Sequence, residues 1–420
     1  MEGFDFAALR ESMLASNACD RCVGRQFAKL FPGKDDAKIG AAVRAAGSQK
    51  AVEKLLEKPE ALEAKLAADC ALCAGLFLKI DEKASKAVEL LRNVDFESYL
   101  TGVRVDQALL AREEELWARV GAFHAEPLKK DLVRQIGLRI GALTGKHADF
   151  KKPDVNVLVD FVKDKVFVEA NPLFVYGKYR KLVGGIPQTK WYCRECRGRG
   201  CARCSFTGKM YPESVEEIIA VKVLEETGGK GEAFHGSGRE DIEATLVGWR
   251  PFVLEIERPV KRRLGFASLE AAINKFAGGK VEVSGLRPSS KDEVRFIKAV
   301  RHDKSYVLDV ECEQPVSDEQ LQAVARRFDN VEVLQKTPTR VMHRRSDLVR
   351  KRLVKSVRCE RVDATHIKVF IVAEAGTYAK ELVHGDAGRT APSVAEFFGP
   401  CKVLHLTVLE IIGQEGLSVA

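Results

Sequence analysis

Residues 236–257 read GSGREDIEATLVGWRPFVLEIE. A glycine-rich loop delivers Arg239 and Asp241 and then feeds a strand-like run, PFVLEIE at 251–257. Such a loop can present a carboxylate in a tight, cationic setting, where it could act as a nucleophile. Glycine and aspartate are also ordinary turn residues, so the meaning of the loop depends on the chain around it.

Downstream and upstream of the loop, residues 212–420 read as α+β. Strand-like runs recur at KVEVSGL (280–286), SYVLDVE (305–311), VEVLQKT (331–337), HIKVFIVAE (366–374) and KVLHLTVLEI (402–411). Helix-like segments such as Asp318 to Phe328 lie between them. Their spacing shows no βαβ rhythm, which predicts an antiparallel or mixed sheet. Residues 1–100 read as helical, with Ile39, Val43, Ala46, Val52, Leu55 and Leu56 at helical spacing in one segment from Lys38 to Glu57. Asp131 to Thr144 predicts a second helix with Leu132, Ile136, Ile140 and Leu143 inward. DVNVLVDF (154–161), the turn KDK (163–165) and VFVEA (166–170) predict two strands. In the following stretch, 171–190, Tyr176, Lys178, Tyr179, Arg180 and Lys181 interleave aromatic and basic groups. RNA-binding surfaces use that combination, and so, for other reasons, does a solvated lysine-rich loop.

Eight of the eleven cysteines form Cys-x-x-Cys pairs: Cys19/Cys22, Cys70/Cys73, Cys193/Cys196 and Cys201/Cys204. Two such pairs make a four-thiolate site, usually closed and structural. The first two pairs predict a zinc-stapled helical module. The last two sit in WYCRECRGRGCARCSFTGKMY (191–211), a compact knuckle that reads as a linker, with Gly198 and Gly200 allowing its sharp reversal. Zinc is the expected metal at both sets, with an iron–sulfur cluster as the alternative. Cys312, Cys359 and Cys401 stand singly and read as small buried hydrophobes.

The 420-residue chain has room for two to four domains, at roughly 100–200 residues each. At 45% hydrophobic and 30% charged it can bury real cores, and its formal charge of +8 favours an anionic partner. The start, MEGFDFAALRES, lacks the basic and apolar regions of a secretory signal. The longest apolar stretch, Ala71 to Leu78, is far short of a membrane span. A cytoplasmic protein with reduced, metal-binding cysteines is the expectation.

Three further segments bear on the opening loop. KSYVLDV (304–310) puts Tyr306 at the head of a strand, QKTPTRVMHRRSDLVRKRLV (335–354) is densely basic, and EAGTYAKELVHGDAGRTAPSV (374–394) carries Tyr378 and Lys380. Together they could isomerise a nucleotide base. A carboxylate attacks a uridine, the glycosidic bond breaks, and the base rotates and rejoins through carbon. A neighbouring cation would favour the ionised carboxylate, an aromatic ring would stack on the extruded base, and no organic cofactor is needed.

In order along the chain, GSGRED, WRPFVLEIERP, KSYVLDVE, QKTPTRVMHRRSDLVRKR and GTYAKELVHGDAGRT resemble the archaeal-type tRNA pseudouridine synthases. These carry an amino-terminal THUMP-containing domain and modify uridines 54 and 55 of the TΨC arm. HADFKKPDVNVLVDF and VFVEANPLFVYGKYRKLVGGIPQTKW resemble the end of the THUMP domain, and the resemblance covers nearly the whole chain. It implies a helical four-cysteine metal module at 1–100, a THUMP-like RNA-binding region at 101–190, a cysteine-rich linker at 191–211 and a catalytic domain at 212–420. Asp241 would be the nucleophile, with Tyr306 stacking on the target base and Lys380 pairing with the aspartate. Arg239 and Tyr378 would line the site, and Leu404 or Leu406 would wall the pocket. The basic stretch at 340–352, including Arg344 and Arg345, would grip the tRNA backbone, as would Lys178, Tyr179 and Arg180. The resemblance also implies a monomer that needs no protein partner. Glu243, Thr245 and Ala379 depart from the family pattern, which commonly has Asp, Arg and Ile there. Two other readings fit parts of the chain: another THUMP-fused tRNA modifier, such as a methyltransferase or thiouridine synthetase, and a non-catalytic tRNA-binding chaperone.

Overall fold

The computed structural model describes residues 5–413, apart from the Arg344 side chain. The chain divides into two compact units, Met1–Asn171 with Arg258–Arg262, and Pro172–Glu257 with Arg263–Ala420. Among the described residues no helix is long and apolar enough to cross a membrane.

The first unit opens with helices α1 (Phe6–Ala15), α2 (Asp20–Gly24), α3 (Asp36–Ala45), α4 (Gln49–Leu55) and α5 (Ile80–Leu91). Cys19 and Cys22, at the cap and within α2, and Cys70 and Cys73, in the turns before α5, meet among them. The single helix expected from Lys38 to Glu57 is in fact two. The break falls at Ala46–Ser48, where Ser48 leaves helical geometry and its hydroxyl accepts from the Ala51 amide, capping α4. Strands β1 (Ser98–Arg104), β2 (His147–Ala148), β3 (Val155–Asp160) and β4 (Lys165–Ala170) form a sheet in the order β2-β1-β3-β4. β1 runs parallel to β2 and β3, and β4 returns antiparallel through the expected turn. Helices α6 (Gln107–Val120) and α7 (Leu128–Thr144) complete the unit. Leu132, Ile136 and Ile140 of α7 are buried as expected, whereas Leu143 is exposed, one turn beyond the core contact. Ion pairs fix the helices: Arg21 bonds Asp35 and Asp131, and Arg134 bonds Asp36, Glu126 and Asp131.

The second unit is built on one sheet, with strands β5 (Leu173–Lys181), β6 (Gly231–Gly236), β7 (Thr245–Glu257), β8 (Val281–Pro288), β9 (Lys304–Cys312), β10 (Val331–Lys336), β11 (Val349–Arg361), β12 (His366–Ala373), β13 (Thr390–Ala391) and β14 (Cys401–Ile411). The order is β13-β10-β11-β12-β9-β14-β7-β5-β8, with β6 added alongside β7. All pairs are antiparallel except β14 with β7, so the mixed sheet of an α+β fold is present. Helices α8 (Val215–Thr227), α9 (Phe266–Ala277), α10 (Lys291–Ala299), α11 (Asp318–Arg327), α12 (Ala379–His384) and α13 (Ala395–Phe398) accompany it.

Two sequence expectations change here. The aromatic and basic segment at 176–181 is not a loop of the 101–190 region. It is β5, hydrogen-bonded between β7 and β8 in the second unit. Its alternation serves burial on two faces: Val175 and Tyr179 enter the main core, and Tyr176 packs with Val253, Val294 and Ile297. The basic run at 340–352 is likewise only half an arm. A short 3₁₀ helix covers Thr339–Arg344, but Arg350, Lys351 and Arg352 already belong to β11.

Candidate active site

The loop at 237–244 links β6 to β7 and is held from beneath by buried polar side chains. Lys181 is fully buried, and its ammonium donates to the carbonyls of Ile186 (3.0 Å), Asp241 (3.0 Å) and Ile242 (2.9 Å). Burial pushes its pKa below the ordinary value, opposed by Glu240. Tyr179, also fully buried, donates its hydroxyl to Glu240 at 3.0 Å and accepts from Gln188 at 2.8 Å. Gln188 also donates to the Gly238 carbonyl at 2.9 Å. Arg250 completes the base, with Nε 3.2 Å from Glu240 and Nη1 donating to the Ser237 carbonyl at 3.0 Å. Gly238 takes φ +77°, and a Cβ there would meet Arg250 Nη1 at 3.0 Å and Lys304 Nζ at 3.4 Å, so only glycine fits.

This scaffold leaves the Asp241 carboxylate at a cavity of about 380 Å³, the lower range of small-ligand sites. Arg340 reaches across from the 3₁₀ helix, donating to Asp241 Oδ1 at 3.1 Å and lying 2.9 Å from Oδ2. Its Nε donates to the buried Glu381 carboxylate at 2.7 Å. Burial works against the guanidinium charge, but Glu381 and Asp241 hold its pKa above the ordinary value. Tyr306 of β9 lines the same cavity and is almost wholly buried. Burial, aided by the Asp241 charge, pushes its phenol up to about 12, so the ring stays neutral at physiological pH. Lys304, two residues before it, is pushed down to about 8 by burial and by Arg250. Leu406 and Val408 of β14 wall the cavity, while Leu404 is exposed and lines another.

Tyr378 and Arg239 also line the cavity. The backbone of Tyr378 is fixed by Gln335, which accepts from its amide at 2.8 Å and donates to its carbonyl at 3.0 Å. Its hydroxyl accepts from Arg345 at 3.0 Å, and the Arg239 guanidinium lies 5.0 Å from the Trp191 ring. Arg344, by contrast, has its side chain outside the described residues.

Lys380 does not pair with Asp241. Its ammonium lies 3.5 Å from Glu243, and it lines a separate cavity. Glu243, one of the departures, offers it a nearer carboxylate, and Arg340 already occupies Asp241. The other departures are accommodated too. Thr245 bonds His405 (3.1 Å) and Thr407 (2.8 Å) on β14, and Ala379 lines the cavity. Of the three residues expected to grip the RNA backbone from 178–180, Tyr179 is fully buried and turned to another task. Tyr179 supports the loop, Arg180 lies 4.2 Å over the Trp249 ring and 3.5 Å from Glu282, and Lys178 is half-buried. Sequence reasoning did not single out Lys181, Gln188, Glu240, Arg250, Lys304 or Glu381 for the site. Glu240, Arg250, Lys304 and Glu381 do lie in the motifs that carry the resemblance, and Lys181 in the aromatic and basic stretch, but nothing local marks them as neighbours of Asp241.

Both cysteine sets fit a single four-coordinate ion. In each, the four sulfurs lie within 4.8 Å of one another. Separations of 3.8 Å for Cys19–Cys73, Cys193–Cys201 and Cys196–Cys204, and 3.7 Å for Cys201–Cys204, match the edge of about 3.8 Å of a tetrahedron with metal–sulfur bonds of about 2.3 Å. They are far too long for disulfides. Backbone amides point at the sulfurs: Cys19 N at Cys70, Gly200 N at Cys196 and Gly208 N at Cys204, each at 3.2 Å. Such donors stabilise thiolates.

Residues 174–412 match the family model for the Pus10 C-terminal region, and residues 83–160 match the archaeal Pus10 THUMP domain. The tRNA pseudouridine synthase Pus10 of Methanothermobacter marburgensis is 41% identical over 403 residues, covering 94% of this chain and 95% of the relative. That of Methanocaldococcus jannaschii is 38% identical over 422 residues, covering 94% and 91%. Matches that span more than nine-tenths of this chain and of these relatives place the protein in the Pus10 family of tRNA pseudouridine synthases, which are isomerases.

Proposed function

We propose that the chain converts uridine 54, uridine 55 or both in the TΨC arm of tRNA to pseudouridine, with Asp241 as nucleophile. The observation that carries this reading is the Asp241 carboxylate, gripped by Arg340 and facing a cavity lined by Tyr306. The carboxylate bonds to C1′ as the N1–C1′ bond breaks. The freed uracil anion turns, C5 bonds to C1′ as the carboxylate–C1′ bond breaks, the C5 proton leaves and N1 gains one, so atoms and charge balance and the carboxylate is regenerated. Tyr306 supplies a neutral ring on which the turning base stacks. Arg340 orients the nucleophile through two donors, taking the place that the resemblance implied for Lys380. Arg239, Tyr378 and Arg345 meet the flanking nucleotides at the cavity rim.

Each cysteine set would hold one zinc ion as a structural staple. Sulfurs on one tetrahedron favour a single ion over a cluster, whose cysteines attach to separate iron atoms. The resemblance implies a monomer, and thiols of this kind suit the reducing cytoplasm. The test is nucleotide-resolution pseudouridine mapping of an unmodified tRNA transcript incubated with wild type. Modification at 54 or 55 is the expected result, and its absence from both positions overturns the site assignment.

A further inference from the structure

The knuckle at 191–211 has a surface that its metal-binding role does not explain. Phe206 is 78% exposed and Tyr192 60% exposed. Phe206 also takes φ +60°, a left-handed conformation that disfavours a bulky side chain. It buries almost nothing there, and asparagine or glycine would be cheaper on both counts. One edge of the Tyr192 ring lies against Gly198, where a Cβ would come within 2.9 Å of its Cδ1. Arg194, Arg197 and Arg203 are exposed around these rings, and among the described residues no carboxylate lies within ion-pair distance of them.

Its place in the second unit gives it a direction. Trp191, at the root of the knuckle, lies 5.0 Å from the guanidinium of Arg239, two residues before Asp241. Arg194 donates to His343 across 3.4 Å, and His343 shares its 3₁₀ helix with Arg340, the residue that grips Asp241. The knuckle therefore stands beside both walls of the catalytic cavity, and aromatic faces set among cations without carboxylate partners match unstacked RNA.

We propose that the knuckle is an RNA-contacting surface of the enzyme. Phe206 and Tyr192 stack on unpaired bases of the tRNA next to the target uridine, and Arg194, Arg197 and Arg203 contact the adjoining phosphates. This rests on the reading that tRNA presents its uridine to the Asp241 cavity.

The test measures binding of an unmodified tRNA transcript to the full chain over a range of salt concentrations. Phe206→Ala should weaken binding roughly fivefold to a hundredfold, the worth of one stacked base. Arg197→Ala/Arg203→Ala should lower the slope of log affinity against log salt by about 1–2, one unit per lost phosphate contact. Metal content and melting temperature, unchanged in both, show that the knuckle is intact. A photoreactive benzoyl-phenylalanine at position 206 should crosslink to the transcript. Wild-type affinity and slope in both variants, or no RNA crosslink, overturns the proposal. Asp241→Asn separates the two readings: product formed by that variant sinks the nucleophile assignment and leaves the binding measurements standing.

Discussion

Ninety-nine positions of chain separate Asp241 from Arg340, yet their side chains meet at 2.9 Å. In the proposed site this pair stands where the resemblance implied Asp241 with Lys380, whose ammonium lies by Glu243 instead. Arg340 bonds Asp241 and Glu381 at once, so its planar fork sets the carboxylate's direction, a task one ammonium cannot perform for two carboxylates. Arg340→Ala should lower kcat for pseudouridine formation roughly 100-fold, the order expected when a reacting group loses its alignment, and Arg340→Lys should recover only part of it. Single-turnover kinetics on tRNA transcript reads both; a larger loss in Lys380→Ala than in Arg340→Ala would reverse the assignment. Lys304 supplies a second residue-scale test. Its pKa of about 8 in the fold lies below an unfolded value of about 10.4. Below pH 8 the ammonium is charged in both states and its burial penalty is fully present. Between pH 8 and about 10.4 the unfolded chain binds the extra proton, so the penalty fades as pH rises. Lys304→Met should therefore stabilise the protein at pH 7, by up to about 3 kcal/mol, with the advantage shrinking towards pH 10. Denaturant unfolding at several pH values checks it, and a gap that grows with pH contradicts it.

At the scale of elements, β5 shows where sequence reading stops. The hairpin of β3 and β4, the runs that became β8, β9, β10, β12 and β14, and α11 were all readable from alternation and turn residues. β5 and β11 were not, because charged residues hid the strand pattern. Lys181 is fully buried by contacts to the Asp241 loop, sixty positions away for the Asp241 carbonyl, and no local pattern records a contact of that span. Asp241, Tyr306 and Tyr378 were named from the motifs that carry the resemblance, and the fold brings all three to one cavity. Arg340 was visible only as one cation in a basic run, since its partner is set by the tertiary fold. The buried network under the loop makes its own prediction. Lys181→Met strips three carbonyls of their donor, each worth about 1–3 kcal/mol if left unpaired. Melting temperature and pseudouridine yield should both fall while the salt slope of tRNA binding stays at the wild-type value. A reduced slope would instead make Lys181 a phosphate contact, as a surface reading of 176–181 requires.

Across the whole molecule, one cysteine set sits in each unit, Cys19, Cys22, Cys70 and Cys73 in the first and Cys193, Cys196, Cys201 and Cys204 in the second. Metal binding to such sites contributes directly to folding. Elemental analysis should find two zinc ions per wild-type chain and one in Cys70→Ser or Cys204→Ser, and each variant should melt at lower temperature. Full metal content in either would remove that set from the ligands. The nucleophile on the loop at 236–257 is put to the test by pseudouridine mapping on unmodified tRNA with wild type and Asp241→Asn side by side. The aspartate variant should bind tRNA as the wild type does and form no pseudouridine at position 54 or 55; pseudouridine at either position at the wild-type level would contradict the assignment of Asp241 as the nucleophile.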